Sequence, residues 1–192
     1  MLRQPLESGQ IMISRAAYQT LFPADFQLIA AMNPCPCGYF GDAQGGCRCA
    51  IDTVEQYRQL LSGPLLDRID LHVDVPRIAI RELRDPHPIP AEKHDDVKHR
   101  IEPARDRMIQ RQGQRNAQLS SRGTQTFCQL APRDAHYLDI AMDRLRVSAR
   151  GYYKLLKVAR AIADLEDLSQ ISRQHLTEAI SLRQENALCE TQ

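Results

Sequence analysis

Residues 26–75 read FQLIAAMNPCPCGYFGDAQGGCRCAIDTVEQYRQLLSGPLLDRIDLHVDV. The stretch opens on an apolar run, residues 26–32, that stops at Asn33-Pro34. A short apolar run bounded by turn residues reads as a strand buried on both faces. Asn33 then falls at the carboxyl edge of that strand, where open α/β sheets place their ligands. Two Cys-x-Cys pairs follow, Cys35/Cys37 and Cys47/Cys49, in a glycine-rich loop. Residues 52–61 have the pattern of an amphipathic helix, which Ser62-Gly63-Pro64 ends. Leu65 to Arg68 form one further turn, and residues 69–75 alternate like a second strand.

The four clustered cysteines are soft ligands, and four thiolates make a closed tetrahedral zinc site. Residues 38–46 between the pairs hold four glycines in nine positions, so the loop loses much backbone entropy on ordering and buries little. A metal supplies folding free energy directly. The cysteines also read as redox-active thiols or as small buried residues, because Cys-x-Cys is tighter than the usual zinc spacing. A disulfide within Cys-x-Cys is strained, and a reducing cytoplasm opposes one. Cys128 and Cys189 stand alone and receive no role.

Composition sets the outer bounds. The chain has 192 residues, 26% of them charged and 43% hydrophobic, as in an ordinary globular domain or a small pair. A net charge of +1 gives no global attraction to nucleic acid, so any such surface is local. The apolar runs fall far short of the ~20 residues of a membrane span. No secretory signal is visible, and the cysteine usage suits the cytoplasm. None of the nine glycines precedes a lysine, so the phosphate-cradling Gly-x-x-x-x-Gly-Lys-Ser/Thr loop is missing. No apolar run ends in Asp-Glu, the magnesium-holding pattern of a Walker B strand.

Residues 10–15 alternate, and residues 18–22 can pair back on them as a hairpin with its tip at Arg15-Ala16-Ala17. Pro86, Pro88 and Pro90 mark residues 84–93 as a linker. Residues 94–115 look helical, with Pro103 expected to kink or restart the helix. Seven Lys/Arg against four Asp/Glu over residues 93–115 read as a solvated face. Residues 113–126 read as a polar loop. Leu138, Ala141, Met142 and Leu145 then share one helical face. Ser148 and Ser172 are placed to cap two further helices, with Val147/Tyr152 and Ile171/Leu176 as hydrophobic staples. Three such helices joined by short loops pack as a bundle.

The order AAMNP…SGPLLDRIDLHVDV closely resembles the magnesium chelatase-like AAA+ ATPases of the YifB/ComM type, and the likeness covers nearly the whole chain. It implies α/β plus all-α architecture. Residues 1–83 would be the C-terminal part of an AAA+ core, with hairpin, sensor strand and last core strand. Residues 94–192 would be a helical lid. In that family the two missing nucleotide motifs lie just upstream of the matching region, which makes this chain the C-terminal part of a longer ATPase using ATP and magnesium.

The same resemblance assigns roles. Asn33 matches the sensor that holds the attacking water beside the γ-phosphate, and Arg68 matches the arginine finger given to a neighbouring subunit. Arg150 matches the lid arginine that contacts nucleotide phosphate. Arg15 becomes a contact to DNA phosphate from a pore hairpin. The plainer readings are a turn asparagine, a salt bridge from Arg68 to Asp67 or Asp70, and two solvated arginines. The implied function is a ring-forming motor, hexameric, that remodels DNA during uptake and recombination. Two others stay open: a chelatase-type motor acting on a protein partner, and a non-catalytic remnant that binds partner subunits.

With no phosphate cradle, the purified chain is expected to bind ATP only weakly and to hydrolyse none. Nucleotide titration and a phosphate-release assay check this; micromolar binding with steady turnover would contradict it.

Overall fold

The structure is a computed structural model. It describes residues 3–15, 18–42, 45–60, 63–78, 80, 84, 92–145 and 147–183. The chain divides into two compact units, Met1–Ile69 and Asp70–Gln192. Pro86, Pro88 and Pro90 of the expected linker, with Ala16, Ala17 and Cys189, fall outside the described residues.

The first unit begins with helix α1 (Arg3–Ser8) and the hairpin β1 (Gln10–Arg15) and β2 (Tyr18–Pro23). The strands pair antiparallel from Gln10 opposite Pro23 to Arg15 opposite Tyr18, as the alternation predicts. Helix α2 (Ile51–Gln59) follows the cysteine loop, and the short α3 (Gly63–Leu66) precedes Arg68.

Two expected strands are not formed. The β1–β2 pair is the one sheet among the described residues, and residues 26–32 and 69–75 run without strand pairing. A strand needs a paired neighbour to satisfy its backbone, and among the described residues neither segment has one, although the His72 N–H donates to the Leu182 carbonyl at 2.6 Å. Most of their apolar side chains are exposed, Ile29 at 85% and Val75 at 87%, while Leu28 and Ile69 are half-buried. The pattern therefore describes segments suited to a buried sheet, while their surroundings here leave them open.

The second unit is helical. Helix α4 (His94–Gln112) runs through Pro103 without a break. Proline cannot bond the carbonyl four residues back, on His99, but both residues are exposed and water can satisfy that oxygen. Gly113, at φ 73°, ends the helix in the left-handed region that glycine adopts without strain. The region expected to be a loop contains a 3₁₀ turn (Asn116–Gln118) and helix α5 (Ser121–Phe127). Ser120 caps α5 by accepting from the Gly123 N–H at 3.1 Å, a cap the sequence reading passed over.

Helices α6 (Pro132–Arg144), α7 (Ala149–Leu165) and α8 (Arg173–Ser181) are the three expected ones. Ser148 caps α7 by accepting from the Gly151 N–H at 3.1 Å. At α8 the imidazole of His175 joins Ser172: its Nδ1 accepts the Ser172 backbone N–H at 3.0 Å, and its Nε2 meets Glu166 at 2.9 Å. Leu138, Leu155, Leu156, Ala159, Leu176 and Ala179 form the centre of the core. Each fully buried leucine contributes about 1.5–3 kcal/mol.

A buried ion network ties α4 to α7. Asp164 is 1% exposed. Arg111 grips its carboxylate with two bonds, at 2.6 and 2.9 Å, and Asn116 Nδ2 donates to it at 2.8 Å. Arg160 lies 3.1 Å away on the same helix, and Arg107 donates to the Asp164 backbone carbonyl at 2.6 Å. Part of the basic excess of residues 93–115 is thus spent inside the fold. Burial pushes the Asp164 carboxyl up, but hydrogen bonds from Arg111 and Asn116 and the charge of Arg160 outweigh it and hold it below its ordinary value.

A carboxylate depressed in the folded state contributes stability that is complete above its ordinary value of 3.8 and is lost as pH falls through the lower folded value. Asp164→Ala leaves Arg111 and Arg160 without their anion, and its expected cost is about 3–5 kcal/mol. Urea unfolding at neutral pH checks this. Below about pH 4 the gap between variant and parent should narrow.

Candidate functional site

The cysteine loop starts immediately after Asn33-Pro34. A turn closes it at once, with the Gly38 N–H donating to the Cys35 carbonyl at 3.0 Å. Further turns join Asp42 to Tyr39 and Gly45 to Asp42. Gly46, at φ 108°, lies against the Tyr39 ring, 3.9 Å from where a Cβ would sit. The chain then passes Cys47 and Cys49 and enters α2 at Ile51.

These turns bring all four sulfurs within 4.8 Å of one another. Cys35 Sγ lies 3.3 Å from Cys37 Sγ and 3.8 Å from Cys47 Sγ, and Cys37 Sγ is 3.7 Å from Cys47 Sγ. All four are free thiols. A zinc–sulfur bond of about 2.3 Å puts the edges of its tetrahedron at about 3.8 Å, so the spacing fits that ion.

The backbone supports the same chemistry. Burial opposes ionisation of Cys35, yet hydrogen bonds from the Phe40 and Tyr39 N–H groups help hold its thiol below the ordinary value. The Arg48 and Tyr39 N–H groups and the Cys35 side chain bring Cys37 down to about 6. At Cys49 the Cys37 N–H favours the thiolate, but the Cys37 side chain, burial and the charge of Cys35 push it up to about 11. Without a cation the four sulfurs repel one another's ionisation; a divalent ion removes that conflict.

Two residues that the sequence reading did not single out complete this region. Arg58, on α2, donates from Nε to the Pro34 carbonyl at 3.4 Å and lays its guanidinium 5.1 Å from the centre of the Phe40 ring. Gly38, at φ 82°, sits where a Cβ would be 3.8 Å from Asn33 Cγ. Only folding of the loop onto α2 creates either relation; an arginine in the last turn of a helix carries no such signal.

The other candidates are placed separately. Asn33 is exposed at the end of the open segment 26–32. Arg68 follows α3, where its N–H donates to the Leu65 carbonyl at 2.9 Å. Its guanidinium meets Glu7 at 2.6 Å, a partner the sequence reading did not consider. Arg15 ends β1 opposite Tyr18, which is 80% exposed. Arg150 is exposed in the first turn of α7, in the second unit. Among the described residues, no helix is long and apolar enough to cross a membrane.

Residues 1–83 match the family described as magnesium chelatase, subunit ChlI, and residues 91–183 match the C-terminal region of that subunit. The chain is 43% identical over 182 residues to the uncharacterized protein YifB of Salmonella typhimurium and 42% identical to YifB of Escherichia coli. It is 41% identical to the competence protein ComM of Haemophilus influenzae. Each alignment covers 95% of this chain and 35% of the relative, so the chain spans about a third of their length. With both family regions matched in order, the chain belongs to the magnesium chelatase-like family that includes YifB and ComM.

Proposed function

We propose that the chain is the sensor-and-lid portion of an ATP-driven AAA+ motor that moves branched or single-stranded DNA. The observation that carries this is the 41% identity, over 95% of the chain, to a protein named for competence. In this reading the chain lacks a phosphate cradle because another part of the motor supplies it, together with the magnesium site. Residues 1–83 complete the α/β core, residues 84–93 link, and residues 94–192 form the lid. Segments 26–32 and 69–75, open and apolar here, become strands when the rest of the sheet flanks them.

The roles follow from chemistry. The Asn33 amide both donates and accepts, as the positioning of an attacking water requires. Arg68 reaches the phosphate held by a neighbouring subunit of a hexameric ring, and its pairing with Glu7 orients the guanidinium beforehand. Arg150 sits at a helix N-terminus, where a phosphate offsets its mild conflict with the helix dipole. Arg15, at the end of β1, meets DNA phosphate. Cys35, Cys37, Cys47 and Cys49 would hold zinc, which supplies a structural cross-link between the two halves of the loop.

The test is a chimera in which this chain replaces the matching third of Escherichia coli YifB. The chimera is expected to hydrolyse ATP and to do so faster with branched DNA. Arg68→Ala should keep ATP binding and lower hydrolysis by about a thousandfold or more. Mixing it with a P-loop variant should recover part of the activity; if no mixture exceeds the sum of the two, the trans role is wrong. An ATPase indifferent to DNA would point instead to a protein substrate.

For the metal, elemental analysis of the chain purified without added metal or chelator should give one zinc per chain. Cys35→Ser with Cys47→Ser should abolish it and make the loop protease-sensitive while the lid helices stay folded. A zinc content near zero, with four freely titrating thiols, would rule the centre out.

A further inference from the structure

The cysteine centre and Asn33 are neighbours in a specific way. Asn33 is joined to the ligand Cys35 through one residue, Pro34, whose restricted backbone transmits little slack. The turn that returns the Gly38 N–H to the Cys35 carbonyl at 3.0 Å also brings Gly38 near the Asn33 amide. A Cβ at Gly38 would stand 3.8 Å from Asn33 Cγ and 3.9 Å from Nδ2. The loop thus passes close to the Asn33 amide, while the residue as a whole is exposed. Arg58 adds a second hold, bonding the Pro34 carbonyl at 3.4 Å and stacking on Phe40, 5.1 Å from the ring centre. Cys47 and Cys49 lie just ahead of α2, the helix that carries Arg58.

We infer that metal binding by the four cysteines orients the Asn33 side chain, with Gly38 and Arg58 as the positioning residues that transmit the constraint. The inference rests on the zinc reading above and goes beyond it: the centre acts on the sensor amide as well as stabilising its own loop. Joining Cys35 and Cys37 to Cys47 and Cys49 fixes where the 35–38 turn sits relative to α2. That turn is the part of the loop nearest the amide, and Arg58 reaches from α2 to the residue between Asn33 and Cys35. Removal of the metal frees the turn, and the glycines of the loop let it move. The amide then rotates as a solvated side chain.

The experiment uses the full 192-residue chain, labelled with ¹⁵N, as purified and after stripping by EDTA. The Asn33 side-chain amide signals are assigned by their loss in Asn33→Ala. On stripping they are expected to move to the position of a solvated asparagine and to return when zinc ion alone is added back. The Asn116 amide, bonded to Asp164 at 2.8 Å in the second unit, should stay in place and reports intact folding there. Gly38→Ala, strained at φ 82°, should shift the Asn33 signals while one zinc stays bound. Arg58→Ala should do the same to a smaller extent and serves if the Gly38 variant fails to fold. If the purified chain holds no zinc, the metal reading itself falls. If zinc is present and the Asn33 signals ignore both its removal and the Arg58 variant, the coupling falls and the metal reading stands.

Discussion

The sulfurs of Cys35, Cys37, Cys47 and Cys49 lie within 4.8 Å of one another in a unit that has little else to order it. Cys35 and Val54 are the buried hydrophobic residues of that unit among those described. Among the described residues its sheet is a single hairpin, and an isolated hairpin is marginal in water. Apolar burial therefore cannot hold a loop with four glycines in nine positions beside Asn33. A metal ion held by the four sulfurs, as proposed above, would join residues 35–37 to residues 47–49 and hold the loop directly.

The second unit solves the same problem by other means. Leu138, Leu155 and Leu176 give it an apolar centre, and the Asp164 network pins α4 and the end of α7 to each other. The network is fully engaged at the carboxylate: Arg111, Arg160 and Asn116 all reach it. A buried ion group of this kind adds less to stability than its geometry suggests, but removal of one member is costly. It joins α4 to the end of α7. The basic side chains Arg107 and Arg111, which from sequence look like a solvated face, serve this purpose.

The exposed apolar segments have a different logic. Residues 26–32 and 69–75 carry strand-like patterns, yet Ile29 and Val75 are more than four-fifths exposed. The mismatch is informative because patterning and environment disagree at two places in the same unit or at its edge. Side chains selected for a sheet interior meet solvent, and both segments flank residues that the proposed mechanism uses, Asn33 and Arg68. The neighbouring strands that such segments need belong, in our reading, to the rest of the motor.

Much of this was legible in the sequence, for local reasons. The hairpin followed from alternation, the three C-terminal helices from 3.6-residue spacing, and the Ser148 cap from a serine placed before an apolar stripe; each depends on residues close in the chain. The four cysteines could be named as a group because thiolate chemistry is specific to residue type. Family resemblance singled out Asn33, Arg68, Arg150 and Arg15. Three things needed the tertiary structure. Helix α5 hid in a polar stretch because its stabilising faces belong to other helices. Arg68 takes Glu7, sixty-one positions away, as its partner. Gly38 and Arg58 meet Asn33 and Pro34 only once the loop has closed. Pairings distant in sequence are set by how the chain packs, and no local pattern encodes them.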